Sequence, residues 1–143
     1  MEITHDSVES FLRGFERKTV SKDMAALLAL FADPFLAAMP QGAKVVTAAE
    51  YARALPARRE FFGRMGCEST SLVSVQHVPL SPRYALALTR WRWVFGGEHV
   101  VPKEVFADTA YIVDTGADPF KIILYLPAED MMAKLKQNER AAG

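Results

Sequence analysis

The sequence has one cysteine, no surplus of charge and no long apolar run. Cys67, the single cysteine, cannot form an internal disulfide or build a thiolate metal site alone. Seventeen Lys and Arg balance seventeen Asp and Glu. A nucleic-acid binder usually carries a basic excess, and a disordered chain a high net charge with few apolar residues, so both readings are disfavoured. The apolar stretches fall far short of the ~20 residues of a membrane helix. Met1-Glu-Ile-Thr-His-Asp6 has no basic region followed by an apolar core, so no secretory signal is expected. No Gly-x-Ser-x-Gly elbow, P-loop or dinucleotide fingerprint occurs. His5, His77 and His99 show no recognised metal spacing. These absences predict a cytoplasmic protein with no metal, no cofactor, and neither nucleic acid nor membrane as a partner.

What is present is ordinary globular material. The chain has 143 residues, 50% of them apolar and 10% aromatic. That predicts a single domain over residues 1–143, able to bury about two-thirds of its unfolded surface.

The first third reads as helix. Val8, Phe11, Leu12 and Phe15 line one face at helical spacing, with Asp6 and Glu9 as a capping pair and Arg13, Glu16 and Arg17 as a solvated face. A second helix is expected after Ser21, with Met24, Leu27, Leu28 and Phe31 as its stripe and Asp33-Pro34 as its stop. Phe35–Met39 and Lys44–Val46 read as a short hairpin. Thr47-Ala-Ala-Glu50 is a capping box opening a third helix through Tyr51 and Leu55 to Phe61, Phe62 and Met65. Pro56 predicts a kink or a fresh helix start there, and Gly66 a C-terminal cap.

After Gly66 the period changes from helical to alternating. Strands are expected over Ser69–Val78, Tyr84–Phe95, Val105–Val113 and Phe120–Leu126, with Gly96-Gly97 as a hairpin signal. A short helix follows from Glu129 to about Lys136. Helices followed by strands imply an α+β fold. A twelve-residue strand must curl to stay covered, which suggests a bent sheet around an interior.

In this order of elements, Leu28-Ala-Leu-Phe-Ala-Asp-Pro34 resembles a segment of the nuclear transport factor 2-like superfamily. Ketosteroid isomerases, polyketide cyclases, scytalone dehydratases and SnoaL-like proteins belong to it. The resemblance spans about residues 6–136. It implies a cone-shaped, cystatin-like roll: three N-terminal helices packed on a strongly curved antiparallel sheet, then a short C-terminal helix. It also implies an apolar pocket between helices and concave sheet, and a homodimer through the outer sheet face. The isomerase branch uses an aspartate base with a tyrosine and a protonated aspartate around the oxyanion. Those positions fall here on Met39, Phe15 and Thr109, so the catalytic pattern is absent. Asp108 is one residue off and should face away.

The same register points Thr109, Tyr111 and Val113 inward, and likewise Ile122, Leu124 and Leu126, with Tyr125 outward. Trp91 and Trp93 share one face of their strand and Arg90 and Arg92 the other. Burial of a large apolar side chain contributes roughly 1.5–3 kcal/mol, so the tryptophans are placed inside. The arginines are left outside beside Leu86, Leu88 and Val94, a mixture that suits a dimer interface. A Trp-x-Trp pair, Tyr51 and Phe62 also fit plain core packing, and Tyr111 could serve a ligand or a backbone carbonyl. His77 and His99 read as exposed loop ends, and Cys67 as a buried, inert thiol. Glu98, Glu104, Asp108, Asp114 and Asp118 read as solvated edges.

The interior then contains almost no ionisable group. The expected function is a small-molecule-binding domain for an apolar or aromatic ligand. Phe15, Met39, Tyr51, Trp91, Trp93, Thr109, Tyr111 and Leu126 would line its site. No catalytic residue is assigned. The alternatives are an enzyme of cyclase, dehydratase or isomerase type, with Asp33, Asp108 or Tyr111 as base, and a protein-interaction module. The base fails if Asp33 caps a backbone amide and Asp108 points to solvent.

Overall fold

A computed structural model describes residues 4–21, 23–96 and 104–142. Its elements are α1 (His5–Val20), α2 (Met24–Leu28), β1 (Phe31–Met39), β2 (Gly42–Val46), α3 (Ala48–Arg64), β3 (Cys67–Pro79), β4 (Tyr84–Phe95), β5 (Glu104–Asp114), β6 (Lys121–Pro127) and α4 (Met131–Ala142). The architecture is α+β: four helices with a curved, unclosed six-stranded sheet. The predicted Gly97 turn residue, Glu98 and His99 lie outside the described residues.

Each helix starts where a side chain can take up orphan amides. Thr4 caps α1 reciprocally with Ser7, two residues earlier than the Asp6–Glu9 pair anticipated. Asp23 accepts from Ala26 at α2, and Thr47 from Glu50 at α3. α2 ends at Leu28, so Phe31 belongs to β1 and not to the helical stripe. α3 runs unbroken past Pro56. Gly66, at φ +86°, follows it in the left-handed region that glycine tolerates best.

The sheet order is β2-β1-β6-β5-β4-β3. The predicted antiparallel meander is β3 to β6. β1 then adds parallel to β6, and β2 pairs back antiparallel onto β1. Two irregularities decide which side chains face inward. In β6, Val113 pairs with Ile122 but Ile112 with Leu124, so Ile123 is an extra, bulged residue. In β1, Phe31 pairs with Ile122 and Leu36 with Leu124, so Ala32–Phe35 depart from the ladder.

Two apolar clusters fill the space between helices and sheet. One joins Val8, Leu12 and Phe15 of α1 to Phe31, Phe35, Leu55, Trp91, Tyr111, Val113 and Ile122. The other joins Phe61, Phe62 and Met65 to Phe95, Val105 and, from α4, Met131 and Leu135. Trp93 packs against both.

α1 is also tied to the sheet by polar groups. Glu16 accepts from the Leu72 amide at 2.7 Å, and Arg13 donates to the Leu72 carbonyl at 2.5 Å. Leu72 lies beside a second bulge, between Leu72 and Ser74 of β3. The expected solvated face of α1 therefore satisfies backbone groups at that bulge.

Candidate functional site

Alternation along the strands builds the inner wall. His77, Ala87, Tyr111, Tyr125 and Ala37 form one row across five strands, since each pairs with the next. Side chains in one such row share a face. Phe15 meets this wall from α1. Its ring contacts Phe31, Trp91 and Tyr111 edge-on at centroid distances of 5.7, 6.1 and 5.7 Å. Such edge-on geometry suits the ring quadrupoles. Phe31 in turn meets Phe35 and Tyr51. Trp91 donates its indole N–H to Thr89 Oγ1 at 2.9 Å, and Thr89 donates to the Thr109 carbonyl at 2.6 Å. This buried chain of bonds fixes the Trp91 ring.

Of the predicted lining, Phe15, Trp91, Thr109 and Tyr111 are buried on the inner face, with Tyr51 and Trp93 half-buried beside them. Met39 is half-buried at the β1–β2 turn and belongs to neither apolar cluster. Leu126 is misplaced by the sequence reading. The bulge at Ile123 shifts the alternation, so Tyr125 turns inward onto Tyr111, at 5.9 Å, and Leu126 turns outward, 42% exposed. The inward direction expected for Leu124 fails for the same reason, and Tyr125 is the residue the reading missed.

Tyr51, Tyr111 and Tyr125 converge from α3, β5 and β6. Burial pushes the Tyr51 phenol up to about 12, against the nearby positive charges of Arg58 and Arg59. Burial also pushes Tyr111 well above the usual phenol range, with Tyr125 and Tyr51 adding to it. The Tyr51 and Tyr111 phenols are therefore neutral hydrogen-bonding groups at neutral pH.

The expected charge-free interior needs one correction. Arg58 is half-buried one helical turn from Phe62, its guanidinium carbon 4.9 Å from that ring's centre, and Phe62 packs on Trp93 at 4.8 Å. The reading of His77 as an exposed loop end also fails. It lies within β3, on the inner row, and its buried Nε2 has no partner.

The carboxylates proposed as bases are elsewhere. Asp33, in the irregular part of β1, accepts from the Ala48 amide at 2.9 Å at the start of α3. Asp108 faces outward, its side chain 64% exposed and 3.8 Å from Arg90. Glu104 pairs with Arg92 at 3.1 Å on the same outer face. Asp114 is not a solvated edge but is buried, holding Arg83 through two bonds of 2.8 and 2.9 Å. Those bonds keep its carboxyl below the ordinary range. Cys67 is half-buried rather than buried, and desolvation raises its thiol. Among the described residues, no group of His, Cys, Asp and Glu could hold a metal ion. No helix among them is long and apolar enough to cross a membrane.

The outer face of the sheet carries a shallow groove of about 440 Å³, lined by Gln76, Leu88, Arg90, Asp108, Ala110 and Leu126 among others. Leu88, Leu126 and nearby Phe106 are each about 40% exposed there.

No protein-family model matches the sequence, and no curated protein matches it. Solved structures do share its fold. The β subunit of benzoate 1,2-dioxygenase from Burkholderia mallei superposes with a TM-score of 0.69 at 14% identity, covering 92% of this chain and 98% of that one. An NTF2-like protein from Shewanella oneidensis gives 0.63 at 14% identity, over 87% and 98%. A scytalone dehydratase-like protein from Novosphingobium aromaticivorans gives 0.62 at 12% identity, over 85% and 80%. The chain thus has the NTF2-like, cystatin-like fold that its order of elements suggested.

Proposed function

We propose that this chain is a small-molecule-binding domain whose ligand lies against Tyr51, Trp93 and Tyr125 on the inner face of the sheet. The observation that carries this is their incomplete burial at the edge of a tightly packed aromatic floor of Phe15, Trp91 and Tyr111. The Tyr51 and Tyr125 hydroxyls supply polar tips at this edge. An aromatic wall with a few polar tips is the usual make-up of a small-molecule site. The ligand is small and largely apolar or aromatic, and the reading requires no cofactor. It places the protein in the cytoplasm as one domain over residues 1–143. The likeness to a scytalone dehydratase-like protein is compatible with a small aromatic ligand.

The test is titration with 2-naphthamide, followed by calorimetry and tryptophan fluorescence. Saturable binding, weakened about tenfold by Trp93→Ala, supports the reading. No saturation at millimolar concentration by this probe or by the corresponding acid, 2-naphthoate, ends it. Binding ranks above catalysis because Asp33 is spent on the α3 start and Asp108 points away from the interior. An isomerase, cyclase or dehydratase reading would have to work through the neutral phenols.

A second reading concerns assembly. The exposed Leu88, Leu126 and Phe106, bordered by the Arg90–Asp108 and Arg92–Glu104 pairs, favour a homodimer through the outer sheet face. A contact with a different protein is the alternative occupant of that face.

A further inference from the structure

Three arginines of the described chain are half-buried: Arg13, Arg58 and Arg59. Arg13 has Glu9, Glu16 and the Leu72 carbonyl as acceptors. Arg59 reaches the Thr19 carbonyl. Arg58 alone of the three has neither an ion pair nor a hydrogen bond among the described residues. A guanidinium drawn from water is costly unless its N–H groups find acceptors.

The helix places Arg58 with the interior residues. Tyr51, Leu55, Arg58 and Phe62 recur at i, i+4, i+7 and i+11, one stripe of α3, and Leu55 and Phe62 are buried. Arg58 therefore lies between the two apolar clusters, where Trp93 bridges them. One side of its guanidinium is against the Phe62 ring. Its positive charge reaches the phenols of both Tyr51 on α3 and Tyr111 on β5.

We infer that Arg58 is an anion anchor, and that the ligand carries a carboxylate on an apolar, aromatic body. This rests on the ligand-binding reading above and narrows its chemical class. A carboxylate matches a guanidinium with paired hydrogen bonds and cancels its single charge. A phosphate monoester, bearing nearly two charges, would leave an excess negative charge among apolar walls. The aromatic body packs against Trp93 and Tyr125 while the acid group meets Arg58 and the Tyr51 hydroxyl.

The test compares 2-naphthoate with its neutral analogue 2-naphthamide on the full chain, by calorimetry. The expected result is naphthoate binding about tenfold or more tighter than naphthamide, a margin that shrinks with added salt. Arg58→Met should abolish that margin, bringing the two probes to within about twofold of each other, with the larger loss falling on naphthoate. Arg58→Lys, which keeps the charge but loses the planar fork, should keep part of the margin. Thermal melts of both variants check that each is folded. Equal binding of the two probes by the wild-type chain, or an undiminished margin in folded Arg58→Met, overturns the anchor and leaves the ligand-binding reading standing. Binding of neither probe overturns both.

Discussion

Tyr51 gives the most direct test at the scale of one residue. Its phenol, raised to about 12, holds its proton more tightly in the folded chain than an unfolded phenol near 10 does. Its contribution to stability is therefore complete below about pH 10 and is lost as pH rises from about 10 to 12. Denaturant melts across that window should show a fall in stability that Tyr51→Phe makes shallower. His77 offers a second test. Its buried Nε2 has no partner, so removing the polar ring relieves a cost. His77→Leu should change stability by less than about 1 kcal/mol, or raise it. A larger loss in urea unfolding would reveal a partner for that nitrogen. Among single residues, Phe15, Trp91 and Tyr111 were legible because each sits in an unbroken helical or alternating pattern. Arg58 was not, because a charged residue in an apolar stripe is ordinarily read as solvated. Its spacing from Tyr51, Leu55 and Phe62 was the available signal.

At the scale of elements, the order of strands and helices followed from periodicity and capping, and so did the bounds of β4 and the Thr47 start of α3, whereas α2 stopped short of the expected Phe31, which opens β1. Bulges did not. The extra residue at Ile123 has no mark in Lys121–Pro127, an apolar strand with no polar face to fix its phase. Hence Tyr125 and Leu126 exchanged faces, while the regular β4–β5 ladder kept Asp108 outward as expected. The bulge in β3 carries its own prediction. Glu16 is the acceptor for the Leu72 amide, and its loss would leave a part-buried N–H unsatisfied. Glu16→Ala should cost about 1–3 kcal/mol in urea unfolding, and Glu16→Gln, which keeps an acceptor oxygen, less. An Ala variant as stable as wild type would show that water replaces the carboxylate there.

At the scale of the whole molecule, the proposed homodimer through the outer sheet face is tested by mass. Light scattering at tens of micromolar should give the mass of two chains, and the pair Leu88→Asp with Leu126→Asp should give one. A wild-type monomer at that concentration excludes the homodimer. The fold class and the outward arginines were legible from the alternation of β4. The parallel β1–β6 pairing was not legible from local pattern, because it joins segments some 90 residues apart.

That pairing also sets an order in time. β1 and β2 meet the rest of the sheet only through β6, which lies between β1 and β5. During synthesis the ribosome makes the β1–β2 hairpin long before Lys121 emerges. Until then β1 has a bare edge and an apolar face with no strand beside them. β3, β4 and β5 can pair among themselves meanwhile, but the two halves are joined last. Nascent chains halted before Lys121 should therefore be cut by protease within residues 31–46, and chains extended past α4 should resist. The strand that turns Tyr125 inward is thus also the one on which the newborn chain waits, and until it arrives the β1 edge that it covers stays unpaired.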